Sequence, residues 1–233
     1  MVSTVDVVLV VALFLLMPPL NAWELHRGLK RAVAAGVPGA RRVQYVSAIS
    51  MAWLFSAIAA AAAFDGGRTI DDLRLAPPSG LGLVVSVGAV AAALAFLLQQ
   101  ARACGTPEGI AALRKEIEPA AWFLPGDAAD LRTFRALSLT AGICEEWLFR
   151  GYMLALVTPW LGLAGAIAAT TLLFAAAHFY QGAAGVVKTG LVGLFMGVLA
   201  WGTGSIWAPI VIHALLDWMQ GDMIARVLRP EPS

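Results

Sequence analysis

The sequence predicts an all-α polytopic membrane protein, a transmembrane helical bundle of about seven spans (seven or eight). Three observations carry that expectation. The 233 residues are 60% hydrophobic and only 13% charged, against roughly 45–50% apolar and about 25% charged in an ordinary soluble domain. Apolar stretches recur at the length of about 20 residues that a helix needs to cross a bilayer. Lysines and arginines alternate between dense and sparse connections, the pattern that sets membrane orientation. A net charge of +1 gives no footprint for nucleic acid.

The expected spans are 5–20, 43–64, 80–98, 134–157, 160–179, 183–202 and 206–224. The first is short, and Asp6 is its only preceding charge, so it lacks the basic flank of a secretory signal and reads as a retained span. Arg27, Lys30, Arg31, Arg41 and Arg42 follow it. Arg102, Arg114, Lys115, Arg132 and Arg135 follow the third span, and Arg226 and Arg229 close the chain. The connection after the second span carries only Arg68 and Arg74, beside Asp65, Asp71 and Asp72. The N-terminus is therefore expected outside and the C-terminus in the cytoplasm. In the long connection 99–131, Thr106-Pro107-Glu108 is a helix start, with a capping hydroxyl, proline in the first turn and then an acid. A short interfacial helix should end before Pro119, with Trp122 and Phe123 as headgroup anchors. Gly193 and Gly197 make a small-xxx-small pair that lets helix backbones approach. The two cysteines, Cys104 and Cys144, suggest neither a disulfide nor a metal site.

Against this apolar background, Glu145 and Glu146 stand side by side in one span, and His178 and His213 in later ones. Ionisable groups in a membrane segment are expensive and mark function by default. Residues four apart share a helix face, so Arg150 sits over Glu146 and can neutralise it. Glu145 points about 100° away, without a local partner, and is the candidate general base. Phe174 and His178 share a face, as do His213 and Asp217. Two histidines, a free carboxylate and a further acid suffice to activate water and stabilise an oxyanion. Glu145, His178 and His213 are also chemically able to form a three-ligand zinc site. On helix rise alone these groups fall at different depths.

The motifs Glu145-Glu146-x-x-x-Arg150, Phe174-x-x-x-His178 and His213-x-x-x-Asp217, in that order, resemble those of the CPBP family of intramembrane proteases, the CAAX protease, bacteriocin-processing or Abi proteins. The resemblance covers about 133–219. The family's last motif ends in Asn or Asp, and Asp217 fits it. By this resemblance Glu145 is the catalytic glutamate acting with His178, His213 and Asp217 are the oxyanion-stabilising pair, and Glu146 and Arg150 are the supporting ion pair. It implies intramembrane proteolysis by a glutamic-type hydrolase with no cofactor and no metal. The expected domain is a single integral membrane unit over 1–233, in the plasma (inner) membrane of a bacterium. Its expected partners are a peptide or protein substrate and the lipid bilayer. Two other classes remain open: a non-catalytic membrane immunity or binding protein of the same fold, and a metal-dependent membrane protease. A proton-coupled transporter would show two related halves, whereas here the ionisable residues crowd into the last four spans.

Overall fold

A computed structural model describes residues 4–11 and 26–227. The helices are α1 (Thr4–Val10), α2 (His26–Ala34), α3 (Ala40–Asp65), α4 (Gly80–Ala103), α5 (Pro107–Ile117), α6 (Ala128–Glu146), α7 (Leu154–Ala177), α8 (Gly182–Thr203) and α9 (Trp207–Val227). A π-helical segment, Trp147–Met153, joins α6 to α7. Among the described residues there is no strand. Four stretches are long and apolar enough to cross a membrane: Ala40–Asp65, Gly80–Ala103, Ala128–Ala177 and Phe179–Thr203. Large apolar side chains such as Leu81, Val84 and Leu172, at 78%, 67% and 70% exposure, point away from the bundle, which suits lipid as the solvent. The protein is a helical membrane protein.

The count of about seven spans does not carry over. Most of the first expected span, 5–20, lies outside the described residues. The last, 206–224, is a helix but is not among the four membrane-long apolar stretches; His213, Asp217, Asp222 and Arg226 dilute its apolar character. The fourth and fifth, 134–157 and 160–179, fall, apart from the last two residues, in one run of 50 residues, Ala128–Ala177.

That run is not straight. Gly162 breaks it with φ 65° and ψ 172°, a backbone region that glycine reaches without steric cost. The rings of Phe149 and Phe174 meet at 5.1 Å between centroids, whereas a straight helix would hold them about 37 Å apart. Leu154 packs with Ala166 and Ile167 around the same bend. The chain therefore turns back at Gly162, and the two expected spans are the arms of a helical hairpin.

Small residues set how closely the other helices approach. A Cβ on Gly142 would come within 2.8 Å of the Ala214 backbone nitrogen, so α6 and α9 touch backbone to backbone. Gly193 and Gly197 of α8 face the hairpin. A Cβ on Gly197 would lie 3.3 Å from Ile167, and one on Gly193 would lie 3.1 Å from both Arg150 and Phe174.

The helix start at Thr106 is as expected: its hydroxyl accepts from the Gly109 N–H at 3.1 Å, and α5 ends at Ile117. Arg114 then donates to the Val227 carbonyl at 3.0 Å, tying α5 to the end of α9. Trp122 and Phe123 pack into an aromatic cluster with Tyr45, Phe134 and Tyr180. Asp127 caps α6 by accepting from the Asp130 N–H at 2.6 Å, and that bond holds its carboxyl below the usual carboxylate range. Asp6, the lone early charge, is fully buried and accepts from Tyr152 at 2.6 Å and from both Arg68 Nη atoms at 3.2 Å. The ion pair fastens α1 to the α3–α4 loop, and the Tyr152 hydrogen bond fastens it to the hairpin.

Candidate active site

The hairpin decides which residues face each other. Glu145 and His178 straddle the bend symmetrically, as Phe149 and Phe174 do, so they lie at one depth although 33 positions separate them in sequence. The π-helical segment follows directly after the two glutamates. Such insertions in helices occur often at functional sites, and this one begins at the turn that aims Glu146 inward.

Glu146 is fully buried and Arg150 is 1% exposed. Arg150 Nη1 donates to Glu146 Oε1 at 2.8 Å, as the four-residue spacing requires. Its Nη2 donates to the Gly193 carbonyl at 3.0 Å, and its guanidinium lies over the Phe174 ring at 4.3 Å. The same Glu146 oxygen lies 2.8 Å from His213 Nδ1. One carboxylate thus anchors a cation from its own helix and an imidazole from α9.

Glu145 is the carboxylate left over, as expected. Its side chain is 31% exposed, and its Oε2, shielded from solvent, has no hydrogen-bond partner. That oxygen lies 3.9 Å from His178 Nε2 and 4.0 Å from His213 Nε2. His178 Nδ1 lies 2.8 Å from the Phe174 carbonyl. A carbonyl only accepts, so Nδ1 carries hydrogen and a neutral His178 turns its lone pair toward Glu145. His213 Nε2 also lies 3.6 Å from Asp217 Oδ2, again at four-residue spacing.

All six residues singled out in the sequence therefore meet in one place. The differences in depth read from helix rise disappear once the second arm runs back along the first. Two contributions escaped sequence reasoning. The Gly193 carbonyl holds Arg150, and the Gly-xxx-Gly pair was its only trace. Tyr180 and Gln181 sit in the short turn after His178, where a single sequence offers no signal.

The group lines a cavity of about 880 Å³, with Glu145, His178, His213 and Asp217 on one side and apolar walls such as Phe123 and Met196 elsewhere. Lys115, Glu116 and Lys188 also line it, and Lys188 pairs with Glu116 at an exposed position. A half-buried carboxylate flanked by two imidazoles in such a space is equipped for proton transfer at a bound polar bond. Among the described residues, no group of three His, Cys, Asp or Glu side chains is placed to hold a metal ion.

A family model described as "Type II CAAX prenyl endopeptidase Rce1-like" matches residues 128–219. The match runs from the start of α6 into α9 and contains all six side chains. It falls on the CPBP and CAAX protease family that the three motifs resemble, and it supports a membrane-embedded protease acting on a peptide or protein. It spans less than half of the chain. No curated protein and no solved structure matches.

Proposed function

We propose that this protein is an intramembrane endopeptidase of the glutamic type, hydrolysing a peptide bond in a protein or peptide substrate near the cytoplasmic membrane face. One observation carries the reading. The Glu145 Oε2, without a hydrogen-bond partner, lies between two histidine Nε2 atoms at 3.9 and 4.0 Å, beside a cavity large enough for a peptide segment.

In this reading Glu145, with His178, takes a proton from water as the water oxygen adds to the scissile carbonyl carbon. His213, doubly protonated, donates one N–H to Glu146 and offers the other to the developing oxyanion. Asp217 supports that charge on His213, or donates a hydrogen bond itself when protonated. The proton held by Glu145 and His178 then passes to the leaving nitrogen as the C–N bond breaks. Glu146 and Arg150 take no part in the transfer. They fix the His213 ring and keep the charge of the site balanced away from water.

The same reading sets the protein in a bacterial plasma membrane, N-terminus outside and C-terminus in the cytoplasm, as one integral domain with its catalytic core at about 133–219. The Lys and Arg distribution supports this orientation.

The test is cleavage by the purified, lipid-reconstituted protein of peptides that carry an apolar C-terminal segment, with products identified by mass spectrometry. Wild type should cleave, and Glu145→Gln, nearly isosteric, should not while melting at the same temperature. A folded wild type that binds such peptides without ever cleaving them would favour the immunity or binding protein of the same fold.

A further inference from the structure

A second cavity lies at the other end of the bundle, and the catalytic reading makes no use of it. The α3–α4 loop, the Gly162 bend and the α8–α9 turn at Gly204 gather there, about 25 Å along the helix from Glu145. They border an open cleft of about 880 Å³ lined by Arg68, Asp71, Asp72, Arg74, Trp160 and Trp201.

The two arginines differ. Arg68 is committed to Asp6. Arg74 is part-buried, and its Nη1 is sealed from solvent without a hydrogen-bond partner. Burial works against its charge, and Asp72 is the carboxylate that opposes this. One oxygen of the exposed Asp72, Oδ2, accepts from the Thr69 N–H and hydroxyl at 2.8 Å each, and no ion pair joins Asp72 to Arg74 among the described residues.

The backbone at Arg74 is also unusual. Its φ of 56° is the only left-handed value among the described non-glycine residues. Glycine would sit there without strain. The chain keeps arginine instead and braces the loop from the α8–α9 turn. Ile206 N–H donates to the Arg74 carbonyl at 3.0 Å, Trp207 Nε1 to Leu75 at 2.9 Å and Ser205 Oγ to Ala76 at 2.8 Å. A left-handed residue held by its surroundings is a position at which a function is worth seeking.

Trp160, Trp201 and Trp207 stand 73%, 51% and 49% exposed around this end, the arrangement of an aromatic belt at headgroup level. From these observations we propose that the cavity binds the phosphodiester of a membrane phospholipid, with Arg74 as its cationic partner. Arginine matches phosphate geometry with paired N–H donors. Asp71 and Asp72 at the same cavity disfavour doubly charged free phosphate more than a singly charged diester.

The full-length protein, stripped of lipid in detergent, would be titrated with dioleoyl phosphatidylglycerol and read by native mass spectrometry for the first bound lipid. Arg74→Gly should weaken that event by about 10-fold or more, the loss of a charge-assisted hydrogen bond. Its melting temperature should stay level or rise, because glycine relieves the strain. Dioleoylglycerol, with the same chains and no phosphate, should not occupy the site, and excess sodium phosphate should not displace the lipid. Displacement by comparable sodium phosphate would overturn the lipid assignment in favour of a free-phosphate site. Unchanged lipid binding in Arg74→Gly, with or without a lower melting temperature, would overturn the site altogether. Should Arg74→Gly fail to fold, Arg74→Lys carries the test: binding weakened several-fold with the fold intact supports the site, and unchanged binding refutes it.

Discussion

Truncating Glu146 to alanine removes the acceptor for two buried groups at once. Its Oε1 takes the Arg150 Nη1 bond and faces His213 Nδ1, each at 2.8 Å. Arg150, 1% exposed, would keep the Gly193 carbonyl, the faces of Phe174 and Phe149 and the more distant charge of Glu145, but no direct ion pair. Breaking a buried pair by removing one partner costs about 3–5 kcal/mol, because the survivor is an uncompensated charge. For a chain of this size each kcal/mol lowers the melting temperature by about 2–4 °C, which makes the expected loss roughly 6–20 °C. Neither residue has solvent to screen it, so no discount for exposure applies.

Glu145→Ala is the matched control one position away. That side chain is 31% exposed and its Oε2 holds no hydrogen bond, so its removal should cost about 0.5 kcal/mol or less. Glu146→Gln keeps one oxygen acceptor but leaves Arg150 uncompensated, and its loss should fall between the two. Thermal unfolding in one detergent, followed by tryptophan fluorescence, measures all three. Equal losses for Glu145→Ala and Glu146→Ala would refute the division between a supporting ion pair and a free carboxylate.

Three further outcomes follow from the same geometry. Glu145→Gln should lower peptide cleavage by about 10²–10⁴-fold, the usual value of a general base, and wild type should keep its activity after exhaustive chelation; loss with chelator and recovery with stoichiometric zinc would favour the metal-dependent protease instead. Gly142→Ala should destabilise by about 1–3 kcal/mol through overpacking against Ala214, whereas Gly88→Ala, with nothing within 4 Å of the added Cβ, should gain up to about 1 kcal/mol of helix propensity; thermal melts of the pair decide. In a cysteine-free background, cysteines at positions 41 and 116 should label from the cytoplasmic side of sealed vesicles and one at 71 from outside, and labelling at 71 only from inside would reverse the orientation.

Much of the site was legible because the chain is so apolar. Where charge is costly, each ionisable residue stands out, and four-residue spacing pairs Glu146 with Arg150, Phe174 with His178 and His213 with Asp217 without reference to a fold. The partners across helices were not legible. Nothing local to Glu146 announces His213, and nothing local to Arg150 announces the Gly193 carbonyl, because neither contact has a period. The count of about seven spans is not shown: the described residues hold four stretches long and apolar enough to cross a membrane, one of them folded into a hairpin. The last helix has the length of a span, but His213, Asp217, Asp222 and Arg226 keep it from being apolar enough to count among the membrane-long stretches. Hydropathy finds the two arms of the hairpin, 134–157 and 160–179, but not the fold at Gly162 that lays one along the other.

That glycine explains how side chains far apart in sequence reach one layer. Glu145 with His178 and Phe149 with Phe174 are both centred between Leu161 and Gly162. The distance from each glutamate-motif residue to the bend therefore equals the distance from the bend to its histidine-motif counterpart. Phe174 serves both sides of this register: its ring lies under the Arg150 guanidinium, and its carbonyl fixes the His178 tautomer. A shift of the bend by one residue would lengthen one arm and shorten the other, offsetting His178 from Glu145 by about 3 Å along the axis and turning each by about 100°, which separates them while leaving every motif intact. The spacing between motifs is thus as much a part of the site as the residues within them. The π-helical turn beside Glu146 is where the first arm adjusts its own phase to present Glu146 to α9 and Glu145 to the cavity.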